Sequence, residues 1–217
     1  MTSLSRRLTV IPGYIGAVVF AVGSLIAGAA YVGRWGQRYS PFNHFVSELG
    51  NTTNSELHAV FNVALFICGS FFAVFMVGVG LRFTGWMRWI IAVGGAIAGI
   101  CGALVGVFPM DVDLPSHGNV ALGFFEGSLA LLVVFALVVG LSRRPVYPRW
   151  LALAALPMIV SNAIFVYLVL EAGPQVLAAS NGNRPDFWIV AMSEWGVMIF
   201  LLLWVVLLAR WRQTQTD

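Results

Sequence analysis

Six long apolar runs constrain this chain more than any motif in it. They lie near residues 10–32, 57–81, 89–108, 120–141, 151–170 and 187–209. About twenty helical residues match the roughly 30 Å hydrocarbon layer of a bilayer, and a backbone in that layer must satisfy its own polar groups, as a helix does. Hydrophobic residues make up 59% of the chain and charged residues 10%, where soluble domains carry about 25% charged residues. A soluble globular domain, a disordered chain and a coiled coil are excluded. The fold class read from this pattern is all-α: a polytopic membrane protein with six transmembrane helices in a single domain over residues 1–217.

The arginines orient the bundle. With the N-terminus inside, Arg6, Arg7, Arg82, Arg88, Arg143, Arg144, Arg149, Arg210 and Arg212 lie on the cytoplasmic side, and Arg34, Arg38 and Arg184 lie outside. This bias places both termini in the cytoplasm. Scattered singly and in pairs, the arginines make no basic stripe, so nucleic acid is not an expected partner. Ala27-Gly28-Ala29 resembles a signal cleavage site, but the apolar stretch is longer than a signal-peptide core, so the first run reads as a span. The lack of lysine, with abundant Ala, Gly and Val, reads as GC-rich coding and points to a prokaryotic cell membrane. Cys68 and Cys101 sit within apolar runs and read as inert core residues.

Small residues recur at helical spacing. Gly95, Gly99, Gly102 and Gly106 make one stripe on the third run, Gly123 and Gly127 a pair on the fourth, and Gly16, Gly23, Ala27 and Ala30 a looser series on the first. Such stripes let membrane helices approach closely.

The outer loop over 33–56 holds the most informative stretch. Ser40 suits a helix N-cap, Pro41 a first helical position and Gly50 a stop. Phe42, Phe45, Val46 and Leu49 fall on one face of a helix, and Asn43, His44, Ser47 and Glu48 on the other. The spacing predicts a short amphipathic helix at the outer interface. Thr53-Asn54-Ser55-Glu56 has capping-box spacing and is expected to open the second span.

All three histidines and eight of the nine acidic residues fall on the outer side. Glu126 and Glu194 lie six and seven residues into their runs, roughly 10 Å down at about 1.5 Å per residue. Asn62 is shallower and Asn162 slightly deeper. A charged side chain at mid-membrane costs about 2.5–3.5 kcal/mol, and ionisable groups there are functional candidates. Both carboxylates are therefore expected to face the interior of the bundle. The candidate pocket comprises His44, Ser47, Glu48, His58, Asn62, His117, Glu126, Asn162 and Glu194. His44, His58 and His117, with carboxylates, could in principle hold zinc with an open position, although no HExxH or HxxxH pattern is present. No nucleotide loop, CxxC or haem motif appears, and no cofactor is assigned.

Phe45-Val46-Ser47-Glu48-Leu49-Gly50 with Glu56 and Phe61-Asn62, then Val105-Gly106-Val107-Phe108-Pro109, Ser116-His117-Gly118, Phe124-Phe125-Glu126-Gly127 and Ser193-Glu194-Trp195, occur in an order that resembles a known pattern. It is similar to the DRAM/FGF-receptor-activating-protein-like six-pass proteins and, among prokaryotic families, to domain-of-unknown-function family 998. The resemblance covers residues from about 10 to 209. It implies a six-helix bundle with an extracytoplasmic polar cluster. Eukaryotic members belong to lipid settings: GPI-anchor lipid remodelling, phosphoinositide and bilayer-asymmetry control, and autophagy. Here Phe108-Pro109 stands where the usual pattern has Phe-Gln, and Asp111 and Asp113 lie outside the eukaryotic pattern.

Three functions are compatible with these residues. One is a lipid-handling or accessory protein whose outer-leaflet pocket engages membrane lipid. The second is an intramembrane lipid hydrolase or acyl-transfer enzyme using His44, Glu48, His117, Glu126 and Glu194, with or without zinc. The third is a small-solute or proton-coupled transporter using Glu126 and Glu194. The inner halves of the spans hold almost no ionisable residues, which argues against a proton path.

Overall fold

The computed structural model describes residues 2–33, 36–172 and 184–215. Six helices are long and apolar enough to cross a membrane. They are α1 (Thr2–Ala30), α2 (His58–Gly80), α3 (Gly85–Val105, with a π-helical stretch at Ile90–Gly94), α4 (Leu114–Leu141), α5 (Arg149–Ala172) and α6 (Ile189–Thr214). The helices outrun several of the apolar runs because capping, not hydropathy, sets helix ends. Thus α4 begins at Leu114, where the Asp113 carboxylate accepts the Ser116 amide at 3.1 Å and Pro115 occupies the first turn. Among the described residues the extended pairing is limited to one isolated bridge, Val32 with Arg38. Most of the loop expected at 171–186 lies outside the described residues.

The helices form a closed ring in chain order: each packs on the next, and α6 returns to α1. Helix axes pack about 8–10 Å apart, so a ring of six leaves space along its axis. Large aromatic side chains fill one half of that space. Phe75, Phe135 and Trp204 are wholly buried there, with the Trp204 ring 6.0 Å from Phe75 and 5.1 Å from Phe135. The Trp204 indole N–H donates to Leu151 O at 3.1 Å. In the orientation expected from the arginines this half is the cytoplasmic one, and the opposite end is called outer below on that expectation.

Glycines bring α2 and α3 together. A Cβ on Gly99 would sit 2.5 Å from the Ala73 amide nitrogen, and one on Gly69 would strike Ala103. Gly95 and Gly106 also back onto α2, whereas Gly102 meets the Phe124 ring of α4. The glycine stripe is thus helix packing within one chain.

The first outer loop departs from the expected amphipathic helix. It divides into a turn at 41–44, closed by the His44 amide on Ser40 O at 2.9 Å, and a 3-10 helix at Val46–Gly50. Phe45 between them is extended, with φ −64° and ψ 150°. Its amide donates to the Glu48 carboxylate at 2.9 Å and its carbonyl accepts the Tyr39 hydroxyl at 2.9 Å. Those side-chain bonds take the groups a continuous helix would have used. Phe45, Val46 and Leu49 are buried as the apolar face requires, but Phe42 is half-exposed against Phe187. The capping box expected over Thr53–Glu56 does not form either. The Asn51 side chain accepts the Thr53 and Asn54 amides, the Ser55 hydroxyl caps nothing, and α2 starts after Leu57 without a side-chain cap.

Candidate functional site

The 3-10 helix closes the outer end of the ring, and polar side chains from three elements hold it. Its first amide, Val46 N–H, donates to Glu194 Oε2 of α6 at 2.6 Å. Its last carbonyl, Gly50 O, accepts from Asn62 Nδ2 of α2 at 3.0 Å. Glu48 reaches back to the Phe45 amide from within. A short helix leaves its terminal amides and carbonyls without internal partners; here buried side chains supply them. Glu194 is 6% exposed and Glu48 4%.

Glu48 is also ion-paired. Arg184, from the segment leading into α6, places Nη1 2.8 Å from Glu48 Oε1 and 3.1 Å from Asn43 O. The Trp188 amide donates to Phe42 O at 2.8 Å, so that segment and the first loop are tied at two points. The ring of Tyr31 lies 5.3 Å from Tyr39 and 5.4 Å from His44. Burial first, then the Glu48 carboxylate, pushes the Tyr31 phenol up to about 12. It stays protonated and directs its hydroxyl at Glu48 Oε2, a long 3.5 Å contact. Burial and the Glu194 carboxylate likewise raise the Tyr39 phenol well above its ordinary value. Tyr39 passes the Glu194 side of the loop on to α6 by accepting the Trp195 indole N–H at 2.8 Å. His44 is buried, with Nδ1 2.7 Å from Asn43 Oδ1. Burial, opposed by Glu48, lowers its pKa, so the ring is neutral at pH 7. Arg184, Tyr31, Tyr39 and Trp195 were not among the residues expected here.

Beneath this cap the unfilled part of the axis forms a narrow slot. Its mouth is made by Val46, Ser47, His117 and Glu194, and its walls are apolar, from Phe61, Leu65 and Cys68 down to Phe75 and Val205. Along α6 the lining runs from Glu194 to Val205, eleven residues or about 16 Å. That is about one leaflet of a roughly 30 Å hydrocarbon layer. His117 Nδ1 lies 2.8 Å from Phe108 O. A carbonyl only accepts, so Nδ1 carries a proton, and in the neutral imidazole Nε2 keeps its lone pair.

Several expected members lie elsewhere. Glu126 is exposed on α4 and does not line the slot, so the buried Glu126–Glu194 cluster does not exist. Phe124, Phe125, Ser128, Leu131 and His117 take the interior face of α4, and Glu126 points away from it. Asn162 is fully buried but structural, donating to Phe125 O at 2.9 Å and Ser128 Oγ at 3.1 Å. His58 faces its own turn, with Nδ1 2.9 Å from Ser55 O. Among the described residues no three His, Cys, Asp or Glu side chains converge as metal ligands, so His44, His58 and His117 do not assemble the zinc site considered from their sequence.

Asp111 has a separate structural task. Its carboxylate accepts the Thr52 amide at 3.0 Å, the Thr52 hydroxyl at 2.7 Å and the Thr53 amide at 3.2 Å, fastening the first outer loop to the α3–α4 connection. Burial alone would raise its pKa, but these bonds outweigh burial and hold it below the usual carboxylate range. A carboxyl depressed on folding adds stability that is present above its unfolded pKa, about 3.9, and lost as pH falls through the lower folded value. Asp111→Asn is therefore expected to lower thermal stability at pH 7, with the gap to the parent narrowing below about pH 4. Melting curves in detergent from pH 3 to 7 check this; a pH-independent gap would show that the charge is not what holds the loop.

The family model described as "Protein of unknown function (DUF998)" matches residues 14–211. The chain belongs to that family. No curated protein and no solved structure matches it. The part matched to the DUF998 family takes in the whole mouth of the slot, Ser47, His117 and Glu194, and leaves out Pro12 and Gly13 at its floor. The family description names no activity, so the chemistry has to be argued from the slot and its cap.

Proposed function

We propose that this is a lipid-handling protein of the cell membrane, prokaryotic in origin, which takes an amphiphile from the outer leaflet into the axial slot. The observation that carries this reading is the polarity of the slot: a short polar mouth at the outer end over an apolar shaft about one leaflet deep. Ligand sites are typically apolar concavities with a few placed polar groups, and this gradient has the sense of a lipid in the outer leaflet. The motif resemblance to the DRAM/FGF-receptor-activating-protein-like proteins, with their lipid settings, supports it.

The transporter reading gains less support. The shaft ends against Phe75 and Val205, with Trp204 packed on Phe75, and Glu126 is outside it. A hydrolase would place a nucleophile and base at the mouth, but the Ser47 hydroxyl points at Met110 Sδ, 3.8 Å away.

The test is to purify the protein from its native membrane and identify retained lipid by mass spectrometry. About one amphiphile per chain is expected in the parent, and at least a tenfold lower occupancy in Ala121→Phe, which fills the slot wall. Equal occupancy in the two proteins, or no retained amphiphile, would overturn the reading.

A further inference from the structure

The mouth of the slot has a one-sided hydrogen-bonding character. Glu194 brings a carboxyl group, one oxygen of which takes the Val46 amide. His117 brings the Nε2 lone pair, because Nδ1–H is spent on Phe108 O. Ser47 brings a hydroxyl whose present acceptor is a thioether, a weak partner. No lysine or arginine lines the slot. Arg184 bonds Glu48 and Asn43 O on the other side of the 3-10 helix. The mouth thus offers strong acceptors and a single hydroxyl, and no cation.

An anionic group seated there would meet the Glu194 carboxyl oxygens and an imidazole lone pair with no cation to match it, out of bulk water where unmatched acceptors are most costly. A donor meets both favourably. From these observations we infer that the slot binds an amphiphile whose head is a hydrogen-bond donor, a hydroxyl-bearing polyol or a primary ammonium, in preference to one with a carboxylate, sulfate or phosphate at that position. This deepens the lipid-handling reading and rests on it.

The test uses full-length protein in phosphatidylcholine nanodiscs, a lipid whose head has no donor. Three probes share one oleyl-length chain: monoolein (polyol), oleylamine (ammonium) and oleyl sulfate (a permanent anion). Native mass spectrometry reads the bound mass. Protection of Cys68 from N-ethylmaleimide, in Cys101→Ser protein, reads the location, since Cys68 lines the shaft and Cys101 does not. Retention of monoolein or oleylamine at least tenfold above oleyl sulfate is expected. In Glu194→Gln, which keeps an acceptor but cannot ionise against a cation, oleylamine is expected to lose more affinity than monoolein. Binding of oleyl sulfate as tight as that of both donor heads would overturn the inference while leaving the lipid-handling reading standing. Failure of all three probes to bind would overturn both.

Discussion

Arg184→Ala is expected to be among the most damaging single substitutions at the outer end. The Arg184 and Glu48 side chains are 10% and 6% exposed. Removing one partner of a buried ion pair leaves an uncompensated charge out of water, which typically costs about 3–5 kcal/mol. Glu48→Gln should cost less: its carboxamide oxygen can still accept the Phe45 amide, and Arg184 keeps its bond to Asn43 O. The double variant Glu48→Gln/Arg184→Ala should then be more stable than Arg184→Ala, because no bare charge remains. Thermal unfolding of the four proteins in one detergent gives the cycle. Additive losses would mean that the two side chains do not interact in the folded protein, and the tie between the first loop and the segment before α6 would have to rest on the Arg184–Asn43 and Trp188–Phe42 hydrogen bonds.

The six helices were readable because each apolar run had to find a length that crosses the bilayer, and length is a local property. The site was only partly readable, and α4 shows why. Glu126 and Glu194 were grouped by depth, yet depth says nothing about direction. Nine residues separate His117 from Glu126, about two and a half turns at 3.6 residues per turn, so the two cannot share a face. Phe124, Ser128, Leu131 and Phe135 fall on the side of His117. The wheel therefore held the answer, and the aromatic pair Phe124-Phe125 marked the interior. Glu194 could be placed the same way: Val190, Val197, Leu201 and Trp204 share its buried face.

Other features had no local signature. The period of Phe42, Phe45, Val46 and Leu49 fits an α-helix, but it fits a turn plus a 3-10 helix too once Glu48 bonds the Phe45 amide. The choice was made by partners far along the chain: Glu194, 148 positions from Val46, and Arg184, 136 positions from Glu48. No arginine lies within an apolar run to match Glu126 or Glu194. The buried ion pair instead joins Arg184 to Glu48 of the outer loop, where arginine needs no helical pattern to announce it.

Glu194 carries the second large expectation, and a pair of substitutions separates its two roles. Glu194→Leu fits an apolar helix face but removes the acceptor for the Val46 amide, which is buried under the cap. A buried donor left without a partner costs about 1–3 kcal/mol, more where the lost acceptor was charged. The first turn of the 3-10 helix should then lift, exposing the 31–57 segment. Glu194→Gln keeps a carbonyl oxygen near the same place, so the latch should hold while the ionisable group at the slot mouth is gone. The expected result is faster proteolysis within residues 31–57 for Glu194→Leu, and a parent-like rate for Glu194→Gln with weakened retention of an ammonium-headed amphiphile. If both variants are digested at the parent rate, the Val46 bond does not hold the cap. If both are digested faster to the same extent, the charge itself is what the loop requires, and Glu194 acts through its field on the surrounding Tyr39 and backbone dipoles more than through one hydrogen bond.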